Sequence, residues 1–496
     1  MSTITYTEKY RPQFHFTPPS KWMNDPNGMV YFEGEYHLFY QHHPNGTTWG
    51  PMHWGHAIST DLIHWEHRPI ALAPDHNGYI FSGSAVVDWK DSSGFFAGKA
   101  GLVAIFTHAD QYPNSDRPRQ RQSLAYSLDK GRTWTMYDGN PVLYSEEIID
   151  FRDPKVFWYE PKQQWVMVLA AGDRVHIYTS ANLKDWSFGS EFGSLDGSHD
   201  GVWECPDLIE LPVNGDLKQT KWVLIVSIGD NPKFTEGSRT QYFTGSFDGY
   251  SFVNDSGPET VLWLDHGRDN YAGVTWSDIN LSNQEKLFIG WMSNWKYANH
   301  TPTETWRSAM TIPRVLSLRE NASGIRLMQK PVVELEKLRQ RSTTYKNIAV
   351  VPGKNILSGI KGDIFELICE VDLASSTEFG FKLRMSDSEE TVVGYNKVTG
   401  KFFVDRSNSG ESDFHGEFPC MHEVQAHSPN GKLKLQIFVD HSSIEVFVND
   451  GECVITDQIF PAPSSTDMDM FVIGGEAKVE SLVIYSLNSI HGIYGI

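Results

Sequence analysis

The chain has 496 residues, a net charge of −20 and an aromatic content of 13%. That much aromatic surface excludes a disordered chain, and the length allows more than one domain with sizeable cores. The acidic balance excludes nucleic acid and anionic membrane as natural partners and leaves a neutral one as the expectation.

The first informative stretch is Trp22-Met23-Asn24-Asp25-Pro26-Asn27-Gly28. Its Asn, Asp, Pro and Gly form a strong turn signature, and an apolar strand-like run follows at 29–32. Further along, short apolar runs bounded by Gly, Asn, Asp and Pro recur, for example 36–41, 165–169 and 221–226. Helical periodicity is scarce, so an all-β protein is expected. A faint repeat runs through it: polar turns ending in Trp65, Trp134 and Trp186, with a weaker copy ending in Phe252. The irregular spacing suits four-strand blades with decorated loops, and residues 271–295 supply a fifth unit. The expected architecture is a five-bladed β-propeller over 1–335.

A helix is expected at 331–341. Proline opens it, and Val332, Leu335 and Leu338 share one face. Residues 336–345 then form a helical linker. No tryptophan occurs beyond Trp306, and alternating strands return, one of them closed by Asn449-Asp450-Gly451. That change in composition predicts a C-terminal β-sandwich over 346–496.

Four cysteines (Cys205, Cys369, Cys420, Cys453) form no C-x-x-C pair, so a zinc knuckle is not expected. The sequence leaves open whether the last three pair. No basic segment followed by an apolar run opens the chain, and no apolar stretch reaches membrane-spanning length. A soluble, cytoplasmic protein is expected, or a secreted one if a leader has been removed. His37, His42, His43, His53, His56 and His64 scatter without ligand spacing, so no metal or other cofactor is expected. The run Arg117-Pro118-Arg119-Gln120-Arg121 reads as a solvated basic loop.

Three acids share an unusual setting: Asn24-Asp25-Pro26, Phe151-Arg152-Asp153-Pro154 and Trp203-Glu204-Cys205-Pro206. Each is followed by proline at once or after one residue, each precedes an apolar run, and each has aromatic neighbours. A single Asp-Pro is most often only a turn. Three at the entries of inner propeller strands would converge on one end of the channel. Converging carboxyls in an aromatic wall suit glycoside cleavage, which needs one proton donor and one ionised carboxylate. Cys205 is expected to be a small buried filler rather than a nucleophile.

These motifs, with Phe81-Ser82-Gly83-Ser84, resemble the signature set of the invertase/inulinase/levanase family of β-fructofuranosidases (glycoside hydrolase family 32) in order and separation. The resemblance covers essentially the whole chain and is strongest to bacterial levanases, through stretches such as 49–56 and 290–295. It implies a five-bladed propeller followed by a β-sandwich, and hydrolysis of terminal fructosyl units from levan first, with inulin and sucrose as further substrates. By the same resemblance Asp25 is the nucleophile, Glu204 the acid and then the base, and Asp153 the acceptor for fructosyl hydroxyls. Retention of configuration then calls for carboxyls about 5 Å apart. Trp22, Met23, Asn24, Gln41, Trp49, Phe81, Ser82, Arg152 and Trp295 match pocket positions. The alternatives are a fructosyltransferase, an endo-acting levanase and a non-catalytic carbohydrate-binding propeller. In plant members of the family, changes at the tryptophan equivalent to Trp22 accompany transfer, so its presence here favours hydrolysis.

Overall fold

In the computed structural model, which describes residues 6–279, 281, 283–321 and 323–491, the apolar runs become antiparallel strands. Blade I consists of Lys21–Phe32, Glu35–His43, His53–Ser59 and Glu66–Leu72, and blade II of Tyr79–Asp88, Gly101–Gln111, Pro118–Ser127 and Thr135–Met136. Blade III is Phe151–Tyr159, Gln164–Ala171, Val175–Ser180 and Ser187–Phe192. Blade IV is Trp203–Val213, Asp216–Ile228, Arg239–Phe247 and Phe252–Asn254. Blade V is Tyr271–Thr275, Lys286–Met292, Arg314–Asn321 and Gly324–Pro331. Each blade's first strand packs against the next blade's first strand, and blade V returns to blade I, so five blades close a ring.

Apolar faces between blades hold the ring. Val103, Ile105 and Leu124 of blade II pack on Val156, Met167 and Leu169 of blade III, all fully buried. Each such side chain contributes about 1.5–3 kcal/mol when buried. Lys21 and Trp22, at the start of blade I, also pair in parallel with Trp306 and Arg307 and so tie blade I to blade V.

The tryptophan repeat has a local cause. At the turn into the outer strand, the indole N–H of Trp65, Trp134 and Trp186 donates to the carbonyl three residues earlier, on Leu62, Gly131 and Leu183, at 3.1, 3.2 and 2.8 Å. Asp61, Asp129 and Asn182 cap the same turns through backbone N–H groups. Blade IV keeps the cap, Asp248, but replaces the indole with Phe252, which is why the fourth copy is faint.

Beyond the propeller, a six-stranded and a five-stranded sheet face each other across one apolar core, a β-sandwich. The expected helix and the helical linker at 336–345 are not formed. Val333–Leu338 is a single 3-10 segment, and Arg339–Val350 is already a strand. Val332, Leu335 and Leu338 still bury together, because an i, i+3 spacing lines up on one edge of a 3-10 helix. The strand takes over at Arg339 because Ala477–Leu487 pairs with it along its length. All four cysteines are free thiols.

The seam between propeller and sandwich holds buried charges. Arg314 donates to Asp265 at 3.2 Å and to Glu445 of the sandwich at 2.5 Å. His15 lies between Asp440 and Glu445, at 2.7 and 2.8 Å. Arg406 of the sandwich reaches Asp269 of the propeller at 2.6 Å. Such pairs hold register between the two bodies, since removing one partner strands a buried charge.

Candidate active site

Every inner strand breaks register near its start. The breaks fall between Met23 and Pro26, Ile80 and Gly83, Arg152 and Lys155, Glu204 and Asp207, and Tyr271 and Val274. A bulge leaves a residue out of the ladder, bends the strand and re-aims a side chain. The bulged positions carry Asn24 and Asp25, Phe81 and Ser82, Asp153, and Cys205. Prolines 26, 154 and 206 sit where the interrupted ladder asks for no N–H. Asp153, Cys205 and Ala272 take left-handed backbone, with φ of 65°, 46° and 53°. Each costs about 1–3 kcal/mol, a strain that the surrounding sheets hold in place.

The expected turn at 22–28 is therefore a strand, Lys21–Phe32, with two register breaks rather than a reversal. Gly28 is required there. It has φ +55°, and an added Cβ would come within 2.6 and 2.7 Å of the Phe39 and Trp54 rings.

Those bulges bring the three acids together. Cys205 Sγ lies 3.5 Å from Oδ2 of Asp25 and 3.6 Å from Oδ2 of Asp153, and its backbone N–H donates to the same Asp153 oxygen at 3.0 Å. Burial pushes the Cys205 thiol well up, so it stays protonated and acts as a donor between two acids rather than as inert filler. Asp25 also accepts from Ser82 Oγ at 2.7 Å and from the Asn24 amide at 3.0 Å. Trp22 fixes that amide through Nε1 to Asn24 Oδ1 at 2.7 Å.

Arg152 ties blade III to blade IV. Its guanidinium donates to Asp150 at 2.5 Å, Gln120 at 3.3 Å and Glu204 at 2.8 Å, and its Nε is 3.9 Å from Asp153. The Tyr271 hydroxyl donates to the other Glu204 oxygen. Glu204 is thus gripped from both sides by blades III and V.

The electrostatics follow. Burial raises Asp25's pKa, and the Glu204 charge raises it further, against the donors Ser82, Asn24 and Cys205. Burial raises Asp153 to about 7; Arg152 opposes this, while Glu204 and Asp25 add to it. Interacting carboxyls give up protons as a set, so the cluster keeps a proton well above the usual carboxylate range. One proton and ionised carboxylates within a single site are the ingredients of acid–base work.

The acids open into a hollow of about 300 Å³. Asn24, Gln41, Trp49, Phe81, Ser82 and Trp295 line it together with the acids and Arg152. Gln41 is held by Asn27 and the Ile80 carbonyl, at 2.8 and 3.0 Å. Two expected pocket residues stand behind the wall instead. Trp22 and Met23 are fully buried, and Trp22 packs on Trp295 with ring centroids 6.0 Å apart. Both pack into the apolar core around the strand, while the register break after Met23 turns Asn24 and Asp25 toward the hollow.

Gln120, Asp150 and Tyr271 escaped the sequence reading. Gln120 was hidden in the expected basic loop, which is in fact the strand Pro118–Ser127. There Arg119 and Arg121 pair with Asp110, while Gln120 points the other way and holds the Phe151 N–H at 2.8 Å. Alternation within that run was the available signal.

Below the acids the channel narrows to about 10 Å³, enough for about one water. Beneath that, buried Lys155 of blade III donates to the Thr275 carbonyl of blade V at 2.7 Å and to Asp207 of blade IV at 3.3 Å. That passage is too narrow for a sugar residue.

A five-bladed propeller with a carboxyl cluster at one mouth of its channel and a sandwich docked alongside defines a carboxylate glycosidase scaffold. The chain belongs to glycosyl hydrolase family 32: the family's N-terminal domain matches residues 15–331, and its C-terminal domain matches residues 334–486. It is 55% identical to a levanase of Bacillus subtilis (strain 168) over 98% of this chain and 72% of that one. It is 40% identical to an extracellular exo-inulinase of Aspergillus awamori over 98% and 96%. The crystal structure of the Aspergillus awamori exo-inulinase superposes with a TM-score of 0.88 at 39% identity, covering 98% and 99% of the two chains. A β-fructofuranosidase of Schwanniomyces occidentalis complexed with fructosyl-erythritol gives 0.88 at 32% identity, covering 99% and 100%.

Proposed function

We propose that this glycoside hydrolase is a β-fructofuranosidase that releases terminal fructosyl units from fructans, levan-type chains first, with retention of configuration. Similarity to a levanase and to exo-inulinases supports the substrate class. The observation that carries the mechanism is the convergence of Asp25, Asp153 and Glu204, from three blades, on one hollow. A hollow that narrows beneath the acids to about 10 Å³ gives a sugar chain no room to thread through, which favours terminal cleavage.

In this reading Asp25 attacks the anomeric carbon while Glu204 gives its proton to the departing oxygen. Glu204 then takes a proton from the incoming water as the fructosyl–Asp25 bond breaks. Asp153 and Arg152 hold the ring hydroxyls, with contacts that tighten as the ring flattens toward the oxocarbenium ion. Trp49, Phe81 and Trp295 give apolar faces for the C–H side of the sugar. Net charge of −20 suits a neutral polysaccharide.

Chromatography of the products released from levan tests the reading. Fructose alone from the earliest time point is expected. A ladder of oligosaccharides would overturn the terminal mode, and larger products from sucrose would identify transfer.

A further inference from the structure

The sandwich holds a second cluster of reactive side chains, none of which lines the hollow. Cys420 Sγ lies 3.2 Å from Nε2 of His422, and Nδ1 of His422 lies 2.8 Å from Oδ2 of Asp457. A carboxylate that holds one imidazole nitrogen while the other faces sulfur is an arrangement that draws the proton off a thiol. Positive charge reinforces it. Arg406 donates its backbone N–H to the Cys420 carbonyl at 3.0 Å, and its guanidinium is 3.7 Å from Asp457. Arg268, from the propeller side, donates to the Glu417 carbonyl at 2.6 Å.

One feature opposes ionisation: the Phe418 carbonyl is 3.2 Å from Sγ and can accept an S–H. That oxygen already accepts Nε of Arg406 at 2.9 Å, and one shared dipole is weaker than an imidazolium and a guanidinium together. The balance agrees. Against burial and Asp457, Arg406 and His422 lower the Cys420 thiol, and against burial Asp457 raises His422 to about 9. Cys420 is also partly exposed, whereas Cys205, Cys369 and Cys453 are buried. Burial pushes all three of those thiols up, Cys453 to about 12.

We propose that Cys420, His422 and Asp457 form a thiolate–imidazolium site for covalent modification that takes small hydroperoxides. The sulfur attacks the near oxygen, an S–O bond forms and the O–O bond breaks. Sulfur loses two electrons to become a sulfenic acid. The departing hydroxide, or the alkoxide of an alkyl hydroperoxide, takes the His422 proton and leaves as water or as the alcohol. The site lies on the seam, because Arg406 also holds Asp269 and Tyr297 of the propeller, at 2.6 and 2.9 Å.

The test uses the folded full chain. Substoichiometric hydrogen peroxide with a dione sulfenic-acid trap, followed by peptide mass mapping, should mark Cys420 ahead of the other three. Iodoacetamide alkylation of Cys420 should stay fast at pH values below the ordinary thiol midpoint of about 8.5. In His422→Asn the rate at pH 7 should fall about ten-fold or more, with its pH midpoint moving toward that of an ordinary thiol at about 8.5. Equal marking of all four cysteines, or a wild-type alkylation midpoint near 8.5, overturns the proposal. The wild-type profile decides the matter even if the variant does not fold.

Discussion

Arg152 Nη2 lies 2.8 Å from Oε1 of Glu204, so a cation carried by one blade sets the position of a carboxylate carried by the next. The same guanidinium holds Asp150 at 2.5 Å, and only a planar fork can serve both oxygens in that geometry. Arg152→Lys keeps the charge and loses the second contact. Steady-state kinetics on levan should show kcat falling about 100-fold, or about 2.7 kcal/mol of transition-state stabilisation, with a smaller change in KM. A change confined to KM would assign Arg152 to uniform substrate binding instead.

Asp25→Asn and Glu204→Gln preserve shape and remove the proposed chemistry. Glu204→Gln should cost about 100- to 10,000-fold in kcat, the range of a lost general acid, while Asp25→Asn should give no measurable turnover. Levan binding by calorimetry should survive in both. Asp25→Asn should also melt no lower than the parent at pH 7. Folding raises the Asp25 pKa, so its ionised form opposes folding once the pH exceeds the unfolded value near 4. Asparagine removes that opposition. Normal turnover in either variant would reassign both roles.

Burial keeps Asp153 protonated up to about pH 7. A reaction that needs that proton should lose kcat/KM as the pH rises through this region. In Asp153→Asn the group that titrates near pH 7 is gone, so the fall in rate at that pH should be lost from the profile. The rate profile of both proteins between pH 4 and 9 measures it. An unchanged limb would separate Asp153 from the titrating set.

Stability should fall on the alkaline side for a different reason. Against burial, which alone would lower it, Asp440 and Glu445 raise His15 to about 9. The folded value exceeds the unfolded value of about 6.5, so the stabilisation is complete below pH 6.5 and is lost as the pH climbs through about 9. It amounts to something on the order of 3 kcal/mol, and His422, also raised to about 9, acts in the same direction. Melting temperature should drop between pH 6.5 and 9. His15→Gln should lower it at pH 6.5 and flatten the slope.

The catalytic acids were legible because a propeller must place its chemistry at the starts of inner strands, and Asp-Pro and Glu-Cys-Pro mark those starts. The blades were legible through Trp65, Trp134 and Trp186, whose indoles close turns by local hydrogen bonds. Register was not. Pairing partners decide where a strand bulges, so Trp22-to-Gly28 read as a turn and Trp22 as a wall residue. Tyr271 and Gln120 carry no local mark, since their importance comes from Glu204 and Phe151, far away in sequence. The 331–341 segment shows the reverse failure: a sound helical pattern gave way to a strand partner more than a hundred residues downstream.

The narrowing at Lys155, Asp207 and Thr275 leaves the hollow one doorway wide enough for a sugar. A fructose unit that has just been cut must leave by the route its chain came in, so the shortened polymer has to back away before the product can go. Each cut then begins a fresh encounter, and shortening is spread over a whole population of chains rather than run along one strand to its end.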